Sequence, residues 1–294
     1  MNLNTLVNGP RRLERPDVDG FKHITVRPRS TTIGAEIEDV RLSDPIEDDV
    51  AEELRRALRE WKVIFFRDQE LTPQRHLEVA GLWGEPEVNP FFPMGDQAAI
   101  SRLAREGQMS GRENLWHSDH SFLAEPARGS MLRAIEIPAY GGDTMWCDMH
   151  AAYENLPDDI KSHVDGLEAE HDWIHSWGRA IPAEKRDELR KTLPAVVHPV
   201  VKVHPDTGRR TLYVNEGFTQ RILGLSKDES HELLRYLRLQ ARVPEYQVRF
   251  RWAPNSVAIW DNWAAQHYAL SDYQPQRRVM ERVAISGAGW NTEG

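Results

Sequence analysis

The sequence predicts a mainly β chain with peripheral helices, built on a β-sandwich or jelly-roll core. Three observations carry this. Short strand-like runs crowd the second half of the chain, while helical periodicity is confined to early and inserted segments. Neither a GxGxxG after a strand nor a glycine-rich loop ending in Lys-Ser or Lys-Thr is present, which argues against a doubly wound nucleotide-binding sheet.

Taken in order, residues 1–22 are polar and rich in Pro and Arg, and read as a tail or an oligomer arm. A single domain is expected over 23–290. Ile24 and Val26, then Ile33, Ala35 and Ile37, alternate with polar positions as half-buried strands do, and Gly34 allows a bulge or a close approach. Val50, Leu54, Leu58 and Trp61 recur at three- and four-residue steps, giving a helix with one apolar stripe. The run Val63-Ile64-Phe65-Phe66 reads as a strand buried on both faces. A second helix has Thr72 to cap it, Pro73 at its first position and Gly84 placed to stop it. Met131 to Ile137 is a core strand, and His150 to Leu167 is helical with Pro157 near a helix start. Residues 171–193 resist regular assignment, so 150–195 is expected to be a helical and lid insertion over a site. Val200 to Val203 and Thr211 to Val214 flank Pro205-Asp206-Thr207-Gly208, a hairpin signal. Ser226 and Glu229 form a capping box ahead of a helix. Tyr246 to Trp252 alternates as a half-buried strand, and Val257 to Trp260 follows as another.

Composition narrows the class. At 294 residues, 40% hydrophobic and 28% charged, the chain is long enough for one large β-rich core with helical insertions. A net charge of −9 argues against a nucleic-acid surface, which needs a clustered positive field. The single cysteine, Cys147, excludes an intrachain disulfide and favours a reducing cytosol. The first twenty residues lack the continuous apolar core of a signal peptide, and no later run is long enough to span a membrane, so a cytoplasmic protein without membrane or nucleic-acid partners is expected.

The chemistry concentrates in three places. If the stretch after Trp116 is a strand, its period of two points His117 and Asp119 out of one face, roughly 7 Å apart. With the distant His267 they offer two imidazoles and one carboxylate, the set expected of non-haem Fe(II) oxygenases, in which the opposite coordination positions stay open. A zinc site for hydrolysis, or a metal-binding module without redox turnover, uses the same residue types. Arg278, eleven residues after His267, is an always-charged planar donor suited to a carboxylate, and alternation sets Arg278, Met280 and Arg282 on one strand face. A solvated arginine cluster is the plainer reading of Gln276 to Arg282.

Together, Trp116-His117-Ser118-Asp119, Gly141-Gly142-Asp143-Thr144, Trp260-Asp261-Asn262 with Gln266-His267-Tyr268-Ala269, and Arg277-Arg278-Val279-Met280-Glu281-Arg282 resemble the Fe(II)/2-oxoglutarate dioxygenases of the taurine and 2,4-dichlorophenoxyacetate dioxygenase family. The likeness extends to Gly34-Ala35-Glu36-Ile37 and to Phe65-Phe66-Arg67-Asp68-Gln69 with Leu71-Thr72, and covers roughly residues 23 to 286. It implies a double-stranded β-helix (jelly roll) core. His117, Asp119 and His267 would bind Fe(II), and 2-oxoglutarate and O2 would serve as cosubstrates. Arg278 would pair with the distal carboxylate of 2-oxoglutarate, assisted by the Thr144 hydroxyl, and Arg282 would meet the anionic group of the substrate. Because Asp119 retains the carboxylate that related halogenases replace, the resemblance points to hydroxylation.

The expected substrate site departs from the taurine-cleaving members. Asn89 and Phe92 stand where they have a histidine and a tyrosine, and Glu113 where they have an asparagine. A larger or more apolar acid is therefore expected: an alkyl sulfate, a longer sulfonate or an aryloxyalkanoate, with 2-oxoglutarate decarboxylated to succinate. Core packing suits Phe91 and Phe92 equally. His120 and His175 are further pocket candidates, each with a structural hydrogen bond as its plainer role. An amino acid or natural product, with Glu113 binding a cationic group, is the alternative substrate. A homo-oligomer, dimer or tetramer, is expected from the family.

Overall fold

A computed structural model describes residues 11–88, 99–106 and 114–286. The chain opens with β1 (Thr25–Pro28), β2 (Ala35–Glu38), α1 (Asp48–Trp61), β3 (Val63–Phe66), α2 (Pro73–Ala80), β4 (Pro86–Glu87) and β5 (Ile100–Arg105). The middle holds β6 (Gly129–Glu136), β7 (Thr144–Asp148), α3 (Met149–Glu154), α4 (Asp158–Val164), β8 (Glu168–His171), a 3-10 turn (Trp177–Ala180) and α5 (Ala183–Thr192). Then follow β9 (Val196–Pro199), β10 (Val201–Val203), β11 (Arg210–Leu212), β12 (Thr219–Ile222), α6 (Lys227–Leu239), β13 (Gln247–Phe250), β14 (Val257–Asp261), β15 (Ala265–Ala269) and β16 (Arg278–Ile285).

Alternation along the central strands decides the layering. Among the described residues the larger sheet is ordered β1-β2-β3-β14-β6-β16-β4, with β5 also paired to β16, and a smaller sheet is ordered β13-β7-β15. Val63 and Phe65 of β3, Leu132 of β6, Trp260 of β14 and Met280 of β16 face the smaller sheet, where they meet Trp146, Val248 and Phe250. The Phe65 ring stacks on Phe250 at 4.1 Å and meets Trp146 edge-on at 5.3 Å. Ile64 and Phe66, one residue out of phase, turn to the other side and pack under Leu54, Leu58 and Trp61 of α1. The result is a jelly-roll core, open at its edges, with helices on the outer face of the larger sheet.

Several local expectations hold in detail. The Thr72 side chain accepts the Arg75 N–H at the start of α2, and the Ser226–Glu229 capping box is complete at α6. A Cβ on Gly34 would lie 2.9 Å from the Val248 side chain, which accounts for glycine at this close approach between the sheets.

Two expectations need correction. α2 stops at Gly81, not Gly84, because Leu82 and Trp83 continue in tight turns onto Val79 and Ala80 and bury the Trp83 indole. Residues 183–192, read as irregular, form α5; none of its side chains is fully buried, so no apolar stripe announced it. Residues 11–20 lie along their own chain: Arg12 and Asn155 exchange hydrogen bonds, Leu13 packs on the cluster beneath α3 and α6, and Asp19 and Gly20 carbonyls accept from Arg56.

Buried neutral histidines link this packing to pH. Burial holds both His76 and His150 down at about 4. In the unfolded chain a histidine titrates near 6.5, so between pH 6.5 and 4 the unfolded state binds more protons and stability falls as pH falls; above 6.5 this contribution is fully present. Each group contributes on the order of 3 kcal/mol across that window. Urea midpoints should therefore drop steeply between pH 6.5 and 4.5, and His76→Leu should flatten the slope. Midpoints independent of pH in that window would contradict the burial argument.

Candidate metal centre

The stretch after Trp116 is not a strand. A single antiparallel bridge joins His117 to His267 of β15, with His117 N–H to His267 O at 3.0 Å and His267 N–H to His117 O at 2.9 Å. The chain then turns sharply through Asp119 and His120, whose φ is 57°. The bridge, not a shared strand face, brings the side chains together: ligand atoms of His117, Asp119 and His267 all lie within 4.8 Å of one another. His117 Nε2 and His267 Nε2 stand 3.7 and 3.9 Å from Asp119 Oδ1.

The donors are prepared for a metal by their surroundings. His117 Nδ1 sits 2.7 Å from the Leu115 carbonyl, an acceptor that fixes the proton on Nδ1 and leaves the Nε2 lone pair facing its partners. Burial and the neighbouring His117 push His267 down to about 3, against the pull of Asp119, so its ring is neutral at pH 7. For Asp119, burial is the largest influence and opposes ionisation, but Arg282 and the surrounding His267, His117 and His120 together outweigh it and hold the carboxyl well below the usual range. Two imidazoles and one carboxylate with converging ligand atoms fit a first-row divalent ion with ligand bonds of about 2.0–2.2 Å, and the side opposite them carries none of the three.

Arg278 and Arg282 share the inward face of β16 with Met280, as alternation predicts, and both are buried. Arg282 donates from Nη1 to Asp119 Oδ1 at 2.8 Å, the oxygen that faces both imidazoles. Arg278 passes over Gly142, where a Cβ would come 3.1 Å from its Cδ; with φ of 71°, that position requires glycine on both counts. Thr144 opens β7 two residues later. Its hydroxyl accepts the Trp252 indole N–H at 3.0 Å, which leaves its own proton to donate. His120 is fully buried, its ring edge-on to Phe122 and Trp177 and 3.8 Å from a Glu87 oxygen. His175 lies at the surface. Asn89, Phe91, Phe92 and Glu113 lie outside the described residues.

The taurine catabolism dioxygenase TauD, TfdA family matches residues 25–284. The chain belongs to this family. It is an Fe(II)- and 2-oxoglutarate-dependent dioxygenase, an enzyme that uses O2 on small molecules. An alpha-ketoglutarate-dependent sulfate ester dioxygenase of Pseudomonas putida is 38% identical over 295 residues, covering 98% of this chain and 94% of the relative. An alkylsulfatase of Acinetobacter baylyi is 34% identical over 274 residues, covering 90% and 86%. The crystal structure of AAD-2 with Mn(II) and N-oxalylglycine superposes with a TM-score of 0.79 at 28% identity, over 90% of this chain and 98% of that one.

Within this dioxygenase, two contributors, Ser130 and Trp252, lie outside the motifs, and a third, Asn262, lies inside one with a role the motif did not indicate. Ser130 donates to Asp119 Oδ2, Asn262 Oδ1 accepts the Asp119 N–H at 3.4 Å and the Trp260 indole at 2.8 Å, and Trp252 holds Thr144. A hydroxyl beside the apolar run of β6 was the available signal for Ser130. The insertion also reaches the site: Trp177 packs edge-on against Phe122 and Phe218, and Phe218 stands 6.0 Å from the His117 ring.

Trp252→Phe keeps the ring and removes the donor. One net hydrogen bond corresponds to a rise in KM for 2-oxoglutarate of about five- to tenfold with kcat little changed. A wild-type KM would show that the indole only packs.

Proposed function

We propose that this enzyme hydroxylates an alkyl sulfate ester, or a closely similar organic acid, at the carbon bearing the heteroatom. His117, Asp119 and His267 hold Fe(II), Thr144 and Arg278 hold 2-oxoglutarate, and Arg282 meets the anionic group of the substrate. Asn89, Phe92, Glu113 and His120 complete the substrate site. The observation that carries this reading is the pairing of two buried guanidiniums on one face of β16, one of them 2.8 Å from the candidate metal ligand. A non-redox metal module has no need of two fixed anion-binding groups beside its ion.

The bound iron supplies O2 activation at the expense of 2-oxoglutarate, which leaves as succinate and carbon dioxide. The residues of the chain place the reactants. Arg278 grips the distal carboxylate with parallel N–H donors while the Thr144 hydroxyl, oriented by Trp252, adds a third. Arg282 fixes the sulfate, so the first carbon of the ester is the C–H held nearest the metal. Phe122, Trp177 and Phe218 form an aromatic wall beside His117 that suits an alkyl chain and excludes water. Oxygen insertion at that carbon gives a sulfated hemiacetal; its hydroxyl loses a proton, the carbon–oxygen double bond of an aldehyde forms, and sulfate leaves with the bonding pair. The sulfate ester and alkylsulfatase relatives support this substrate class.

Alkyl sulfates, sulfonates and aryloxyalkanoates, each assayed with Fe(II), 2-oxoglutarate and O2, should yield one succinate per leaving group, with alkyl sulfates turned over best. Succinate formation stimulated by amino acids and not by these anions would overturn the proposal.

We further propose a cytoplasmic homo-oligomer, dimer or tetramer. The free, buried Cys147 supports a reducing compartment, and light scattering reads the subunit number. Among the described residues no helix is long and apolar enough to cross a membrane.

A further inference from the structure

The two oxygens of Asp119 are held on opposite sides. Oδ1 faces His117 Nε2 and His267 Nε2 and accepts from Arg282. Oδ2 turns away and accepts the Ser130 hydroxyl at 2.9 Å. Ser130 is fully buried in β6, with its backbone registered between Trp260 of β14 and Ala284 of β16, so its hydroxyl has a fixed place in the middle of the larger sheet. A hydroxyl buried there without an acceptor would be costly, and Ser130 gives its proton to a carboxylate that is itself without solvent.

We propose that Ser130 is a positioning residue that keeps Asp119 a one-oxygen ligand. The inference rests on the ligand set given above. An ion held by His117, His267 and one oxygen of Asp119 would keep positions free for 2-oxoglutarate and O2. A carboxylate rotated to bind through both oxygens would take up one of them. Nothing in the imidazoles prevents that rotation. Ser130, by occupying Oδ2 from the far side, does, and Arg282 braces the other oxygen against the same turn.

The test compares wild-type protein, Ser130→Ala and Ser130→Cys under anaerobic Fe(II), with His117→Ala as the reference for a broken site. Two quantities are read at saturating metal: the visible charge-transfer absorption of the Fe(II)–2-oxoglutarate chelate per bound iron, and the binding constant of 2-oxoglutarate. Thermal unfolding of the metal-free proteins runs alongside. Ser130→Ala should bind 2-oxoglutarate about tenfold more weakly and lose about half or more of the chelate band, the usual scale for removing a partner of a metal ligand. Its metal-free unfolding temperature should fall by only a few degrees, the cost of one lost donor to the buried Asp119 carboxylate, so the protein stays folded at the assay temperature. Ser130→Cys, a weaker donor, should fall between, and it carries the comparison if the alanine protein does not fold. Wild-type band and affinity in either folded variant would overturn the role of Ser130. A wild-type enzyme without the band, or a His117→Ala protein that keeps it, would overturn the ligand set and this inference with it.

Discussion

His267→Ala should lose turnover by about three orders of magnitude or more, because metal-centred stabilisation contributes several kcal/mol and each 1.36 kcal/mol is a factor of ten. The position suits the experiment. Its Nδ1 has no hydrogen-bond partner among the described residues, and its ring is neutral, so the substitution strands no buried charge or donor. The vacated volume lies against Trp260, 4.9 Å away between ring centres, and the cost is that of a small cavity. Loss of activity with retained metal-free folding, read by steady-state succinate formation beside thermal unfolding, would locate the effect at the metal. Turnover near the wild-type rate would remove His267 from the ligand set.

The second large effect is expected at Arg278. Two charge-assisted hydrogen bonds to a carboxylate, each about 1.5–3 kcal/mol, set the expected rise in the KM for 2-oxoglutarate in Arg278→Leu at about 10² to 10⁴. The leucine fills the stem's place over Gly142, so the fold is not asked to close a cavity. Arg278→Lys should recover only part of the affinity, since an ammonium cannot reproduce the planar fork. KM for the organic acid should move much less in both variants, because that anion is assigned to Arg282. Initial-rate kinetics with each substrate varied in turn separate the two; a parallel rise in both KM values would mean that Arg278 supports the site as a whole and does not grip one cosubstrate.

How far these residues could be read from the sequence depended on where their information lies. Arg278 and Arg282 were legible because β16 is one regular strand and alternation alone sorts its faces. The α6 capping box and the Thr72-Pro73 start of α2 were legible because their chemistry is local. His117 and Asp119 were found for a reason the structure amends: they converge through a bridge to a segment 150 residues away, followed by a left-handed turn at His120, and neither event has a periodic signature. Ser130 and Trp252 were not found as contributors at all, and Asn262 was read only as part of the Trp260-Asp261-Asn262 motif, without a role. Each acts on a residue distant in sequence, and a serine in a strand, an asparagine in a turn and a tryptophan after a strand have ordinary local roles. α5 escaped because its side chains commit to no core, leaving no stripe to read.

Crystals grown anaerobically with Fe(II) and 2-oxoglutarate, with anomalous data collected at the iron edge, test the whole account most directly. A single iron peak about 2.0–2.2 Å from His117 Nε2, His267 Nε2 and one oxygen of Asp119, with the distal carboxylate of 2-oxoglutarate on Arg278, is the predicted result. An iron peak away from these three atoms, or 2-oxoglutarate bound with its far carboxylate turned from Arg278, would contradict it.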